Sequence, residues 1–128
     1  MGKTKKLTLE DLIAAKEKPL VQTSEVYVPV LGGTLELRRQ SLVTYQKAVS
    51  AINRAETEEE GLRATFEAIY AFCPMLHEQA LQDACGCKVP TDIVPLVLRE
   101  DAGSISAVVE GILAMYGDGT KAREALKN

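Results

Sequence analysis

A single histidine, His77, serves the whole chain of 128 residues, and one imidazole cannot by itself build an acid–base system for a nucleophile. The nearest candidate nucleophiles are Cys73, Cys85 and Cys87, and none has an orienting partner in its neighbourhood. Cys73 and His77 are four residues apart and would share a face only if a helix ran across Pro74. No catalytic residue is assigned, and the chain is expected not to be an enzyme. Three cysteines, an odd number, without an export signal point to a reduced, cytosolic protein with no structural disulfide. Charge of one sign is also missing. The net charge is −3 and the lysines and arginines are scattered, which gives no electrostatic footprint for nucleic acid. The basic start, Lys3, Lys5 and Lys6, runs into Glu10 and Asp11 without an apolar stretch, which excludes a signal peptide or a membrane span there. Lys6 stands where an N-myristoylation signal needs Ser or Thr, and Gly2-Lys3-Thr4 lacks the upstream glycine and strand of a phosphate loop.

What the chain does have is 46% apolar residues, much of that alanine, enough for one core and one domain over 1–128. Its clearest local signal is Val26 to Arg39, VYVPVLGGTLELRR, in which alternating apolar residues flank Gly32-Gly33. A two-residue turn at the glycines places Val30 opposite Leu35, Val28 opposite Leu37 and Val26 opposite Arg39, with Pro29 facing Glu36 on an edge strand. Val26, Val28, Val30, Leu35 and Leu37 then share one face, which a helical layer must cover. The expected fold is α+β and mainly α-helical: a short N-terminal helix and a β-hairpin at 25–39, packed on four to five helices over 41–116. Residues 1–6 and 118–128 are expected to be mobile.

Helix boundaries follow from caps. Thr8 with Asp11 starts a helix over Leu9 to about Lys16, and Glu17 to Ser24 reads as a linker. Ser41 caps a helix to about Ala55, and Thr57 with Glu60 caps the next, whose Leu62, Phe66, Ile69, Tyr70 and Cys73 share a face before Pro74. Pro74 opens a further piece that ends at Gly86. The β-branched run Ile93 to Leu98 permits a strand, but Pro95 in its middle favours a buried helix to about Arg99. Ser104 reads as the cap of the last helix, with Ile105, Val108, Val109, Ile112, Leu113 and Tyr116 at helical spacing and Gly117 as its end.

Cys73, His77, Cys85 and Cys87 are four potential zinc ligands within fifteen residues. Only one residue separates Cys85 from Cys87, against the two to four usual in structural sites, so the cysteines are read as small apolar residues and no metal or other cofactor is expected. The acidic run Glu56, Glu58, Glu59 and Glu60 lies at a helix start, where the dipole favours it.

In its order of parts the chain resembles the XkdN-like tail assembly chaperones of tailed bacteriophages and prophages. The likeness is carried by the capped helix LTLEDLIAAK and by the hairpin wording V-x-V-P-x-L-G-G-x-L-x-L running into Ser41-Leu42 and Tyr45, and it extends from Leu7 to Tyr116. The resemblance implies a non-enzymatic chaperone in the cytoplasm of the bacterial host, holding the long, helical tape measure protein until the tail tube polymerises around it. It also implies two forms related by a programmed ribosomal frameshift, of which this chain resembles the shorter, with the longer form and other copies of itself as further partners. A surface for such a client would come from outward apolar residues, Tyr27 and Leu31 of the hairpin and Ile93, Val94 and Val97 of the apolar run, while Ile105 to Tyr116 reads as core. The alternatives are a small zinc-binding module on the Cys/His set and a helical regulatory protein, for which no basic recognition helix is visible.

Overall fold

Six α-helices and one antiparallel hairpin make up the fold in a computed structural model that describes residues 5–18 and 22–117. The order is α1 (Leu9–Glu17), β1 (Thr23–Val28), β2 (Gly33–Arg38), α2 (Leu42–Arg54), α3 (Glu58–Phe72), α4 (Gln79–Cys85), α5 (Ile93–Val97) and α6 (Ala102–Met115), with single 3₁₀ turns at Pro74–His77 and Pro90–Asp92. The fold is therefore α+β and mainly helical, as expected. The expectation that 118–128 and the first residues are mobile falls mostly outside the described residues.

The hairpin differs in register from the sequence expectation. Val26 pairs with Leu35, Tyr27 with Thr34 and Val28 with Gly33, so the turn has four residues, Pro29 to Gly32, and Pro29 sits in it rather than opposite Glu36. The Val28 carbonyl accepts from the amides of both Leu31 and Gly32, each at 3.0 Å. Proline suits the first bend of such a turn, and the turn then needs a positive φ at Gly32 (+67°) and not at Gly33. The apolar face survives because side chains alternate with period two and each residue's partner has moved by four. Val26, Val28, Leu35 and Leu37 still point inward, and only Val30 leaves the set, exposed at the tip. The ladder also begins earlier than expected. Thr23 and Ser24 belong to β1, and the Gln22 carbonyl accepts from Arg39 N at 2.7 Å.

This turn sets a sharp test. Gly32→Val forces a β-branched residue into left-handed backbone and should lower stability by about 1–2 kcal/mol. Gly33→Val should be nearly neutral, since its φ is ordinary and an added Cβ meets nothing within 4 Å. Equal losses from the two variants in thermal unfolding would contradict the four-residue turn.

The caps mostly stand where the residue types put them. Thr8 Oγ1 accepts from Asp11 N at 3.2 Å while Asp11 Oδ2 accepts from Thr8 N at 2.9 Å, a closed capping box. The Thr8 amide first, and then the Lys5 ammonium 3.2 Å from Oδ1, hold the Asp11 carboxyl below its ordinary pKa. Ser41 caps α2, Thr57 caps α3, and Gly86 closes α4 in left-handed backbone. The piece after Pro74 is split at Glu78 into a 3₁₀ turn and α4. Pro95 lies within the first turn of α5, where its missing amide is harmless, so the helical reading of Ile93 to Val97 holds. One cap differs: Asp101, not Ser104, starts α6, and Ser104 occupies its third helical position.

The core forms where α6 lies across the inner face of the hairpin and α3 closes the other side. Val28, Leu37, Ile69, Phe72, Leu76, Ile93, Val94, Leu98 and Val108 are essentially inaccessible to solvent. α2 packs along α3, and the 3₁₀ turn after Pro74 meets β2. At Gly111 α6 packs tightly on the hairpin. A Cβ there would come within 3.0 Å of Leu37 Cδ1 and 3.2 Å of Val26 Cβ.

Two polar devices tie residues over seventy positions apart. Ser104 Oγ accepts from Val30 N at 3.0 Å and donates to Asp101 Oδ2 at 2.7 Å, so the hairpin tip is latched to the cap of α6. At the other end of α6, Tyr116 Oη donates to the Gln40 carbonyl (2.7 Å) and accepts from the Gln40 amide (2.8 Å). Its ring stacks on Tyr45 (4.1 Å between centroids), meets Phe72 edge-on (5.9 Å) and carries the Arg39 guanidinium 4.3 Å from its centre. Arg39 Nη1 also donates to the Met115 carbonyl.

Candidate functional site

Of the five side chains proposed from sequence as a partner surface, the structure keeps two in solvent. Tyr27 projects from the outer face of β1 and is 59% exposed; Leu31 sits in the turn and is 45% exposed. Ile93 and Val94 are fully buried and offer no surface, because the first turn of α5 inserts them into the core beneath α3. Val97 is half-buried against the same core, and the solvent-facing member of that segment is Leu96. The hairpin tip thus carries three exposed apolar residues in close succession, Tyr27, Val30 and Leu31. The Ser104 latch fixes their backbone, so the tip is presented on a supported turn.

The outer face behind the tip is acidic. Glu25 stands directly across from Glu36, an unfavourable like-charge pair, with Thr23 across from Arg38 next along the ladder. Tyr27 lies at the edge of this face, opposite Thr34.

Sequence reasoning missed a second apolar region. Leu7, Leu9, Leu12 and Ile13 on and before α1 are more than half exposed, and α1 contains no buried residue. On the outer side of α2, Leu42 and Val43 are likewise more than half exposed. With Gln46, Lys47, Ser50, Ala51 and Arg54 they line an open concavity of about 430 Å³. The signal was present in the i, i+3, i+4 spacing of Leu9, Leu12 and Ile13, but the same spacing serves a helix that is covered.

The cysteine and histidine set is dispersed by its packing. Cys73 is buried at the end of α3, while Cys85 and Cys87 lie half-buried at the rim of the core. The His77 ring stacks on Tyr70 at 3.8 Å, and its Nε2 is 2.7 Å from the Tyr70 carbonyl. Among the described residues, no group of three or more His, Cys, Asp or Glu side chains is arranged to hold a metal ion. Burial pushes the Cys73 thiol up to about 11 from an ordinary 9.0, and proximity to Cys85 adds to a burial-driven rise at Cys87. A thiol shifted upward is a poor nucleophile at neutral pH.

The shift at Cys73 has a sign that can be checked. The folded state holds the proton more tightly than the unfolded chain, so this contribution to stability is complete below pH 9 and is lost as pH rises through about 11. Native alkylation at pH 8 should label Cys85 and Cys87 well before Cys73, and Cys73→Ala should flatten the alkaline fall in stability. Rapid labelling of Cys73 in the folded protein would overturn its placement.

Among the described residues no helix is long and apolar enough to cross a membrane. No protein-family model, curated protein or solved structure matches the chain.

Proposed function

We propose that this chain is a non-enzymatic tail assembly chaperone, acting in the cytoplasm of a bacterial host, that binds the tape measure protein of its phage or prophage and keeps it soluble until the tail tube polymerises. The observation that carries the reading is the latched hairpin tip. Tyr27, Val30 and Leu31 stand in solvent on the VYVPVLGG segment that bears the family wording. An amphipathic client helix presents apolar residues at i, i+3, i+4 and i+7, and an exposed aliphatic and aromatic tip covers such a stripe by burial rather than by charge. With a net charge of only −3 the complex should weaken little as salt is raised.

The test is co-expression with the long helical tail protein encoded beside it. Soluble client should increase and the two should co-purify with more than one chaperone per client. Tyr27→Asp and Leu31→Asp should each reduce client solubility several-fold while leaving the chaperone's own melting curve in place, since both side chains already face solvent. A client that stays insoluble with the protein in excess, and that also fails to capture it, would remove the chaperone reading.

A further inference from the structure

Among the described residues the hairpin is the whole sheet, so each of its strands has an edge with no neighbouring strand. The bond from Arg39 N to the Gln22 carbonyl fixes which groups face outward. Bonded pairs alternate along an antiparallel ladder, so Ser24, Val26 and Val28 turn their amides and carbonyls toward β2, while Thr23, Glu25 and Tyr27 turn theirs away from it. Among the described residues none of these outward groups has a hydrogen-bond partner. β2 is met by the 3₁₀ turn after Pro74, and its inward Leu35 and Leu37 are buried. β1 is the outlying strand: its inward Ser24 and Val26 are only half-buried, and Thr23, Glu25 and Tyr27 are exposed. Edge strands are ordinarily guarded against pairing by a proline, a lysine, a bulge or an inward-pointing charge. β1 has none of these over six residues of unbroken register.

The charge beside this edge selects its occupant. Glu25 and Glu36 oppose each other at a non-bonded pair, the closer of the two pair types, and among the described residues no salt bridge reaches either. A second copy fits badly. In the antiparallel register of fullest overlap Glu25 meets its own counterpart, and four carboxylates stand in one row across the sheet. A strand bearing Lys or Arg opposite Glu25 puts a cation into that row instead. The alternate side chains of the same strand lie beside Val26, which packs against the core. We propose that the β1 edge is a docking site for an extended segment of a partner protein, taken up as an antiparallel third strand, with basic side chains at alternate positions facing Glu25 and small or β-branched ones between them. The site goes beyond the chaperone reading and does not depend on it, since it uses the backbone of β1 rather than the apolar side chains of the tip.

The probe is a fluorescently labelled, end-blocked peptide, Lys-Thr-Lys-Val-Lys-Thr, followed by anisotropy on the full chain against the same peptide with Glu at the basic positions. The basic peptide should bind and the acidic one should not. Hydrogen exchange should then slow at the amides of Thr23, Glu25 and Tyr27, and N-methylation of the peptide's lysine amides should abolish both effects. Glu25→Lys should weaken binding about fivefold or more while raising the melting temperature, because it turns the pair with Glu36 into an attractive one. Leu31→Asp, which should harm a helical client, should leave the peptide's affinity within about twofold, so this site and the tip fail separately. No binding, equal binding of the N-methylated peptide, or binding without protection of the three amides would overturn the proposal. So would protection of those amides in the free chain, since a second copy or another segment of this chain would already hold the edge.

Discussion

Tyr116→Ala should be among the most damaging single truncations of this fold, lowering the unfolding free energy by about 3–4 kcal/mol. The size follows from what the ring does. It stacks on Tyr45, meets Phe72 edge-on, carries Arg39 on its face, and its hydroxyl satisfies both backbone groups of Gln40. Deleting the ring opens a void between α2, α3 and the end of α6, and it also strands a partly buried amide and carbonyl. Tyr116→Phe separates the two contributions. It keeps the stacking and removes both hydrogen bonds, for a loss of about 1–2 kcal/mol. Urea unfolding followed by far-ultraviolet circular dichroism gives both numbers. Equal losses from the two variants, or an Ala variant within 1 kcal/mol of wild type, would mean that the ring is not the clamp described.

Gly111→Val is expected to cost about 2–3 kcal/mol, the upper part of the range for overpacking. The constraint is one of distance, since Gly111 lies in α6 with ordinary helical backbone. Its would-be Cβ falls 3.0 Å from Leu37 Cδ1, a tip that could turn were Leu37 not fully buried. It also falls 3.2 Å from Val26 Cβ, which the strand backbone fixes. Gly111→Ala is the informative companion. It gains about 1 kcal/mol of helix propensity and loses a comparable amount to the clash, so its net change should stay within about 1 kcal/mol of zero. A Val variant as stable as the Ala variant would show that α6 can lift off the hairpin at little cost.

Much of this arrangement was legible in residue types, because caps are local chemistry. Thr8 with Asp11, Ser41, Thr57 and Gly86 act within a few residues of themselves, and each ends or begins a helix where its side chain or backbone freedom predicts. Two cap-type residues three apart, Asp101 and Ser104, could not be ranked in the same way. The choice rests on Val30, which lies over seventy residues away and takes the Ser104 hydroxyl. The hairpin's inner face was legible and its register was not. Alternation reports which residues share a side, whereas the turn length depended on Pro29 entering the bend. The partner surface was the least legible. Periodicity shows that Leu9, Leu12 and Ile13 share a stripe, and that Ile93 and Val94 are apolar, but it carries no information on which stripe another element covers. Here the nine-residue helix stays bare and the five-residue one is buried.

The two latches also bear on the order in which the chain becomes stable as it is made. The hairpin is complete once residue 38 has been joined, yet its inner face is sealed by α6, and both tethers, Val30 to Ser104 and Gln40 to Tyr116, close over gaps of 74 and 76 residues. At roughly 5–20 residues per second of synthesis, that gap corresponds to about 4–15 s. Throughout that interval the part of the inner face that α6 covers stays open, and an isolated hairpin is marginal by itself. The nascent chain therefore passes through a period in which its own strand edges and apolar face are open to other chains on the same message, and the arrival of α6 on the hairpin is the event that ends it.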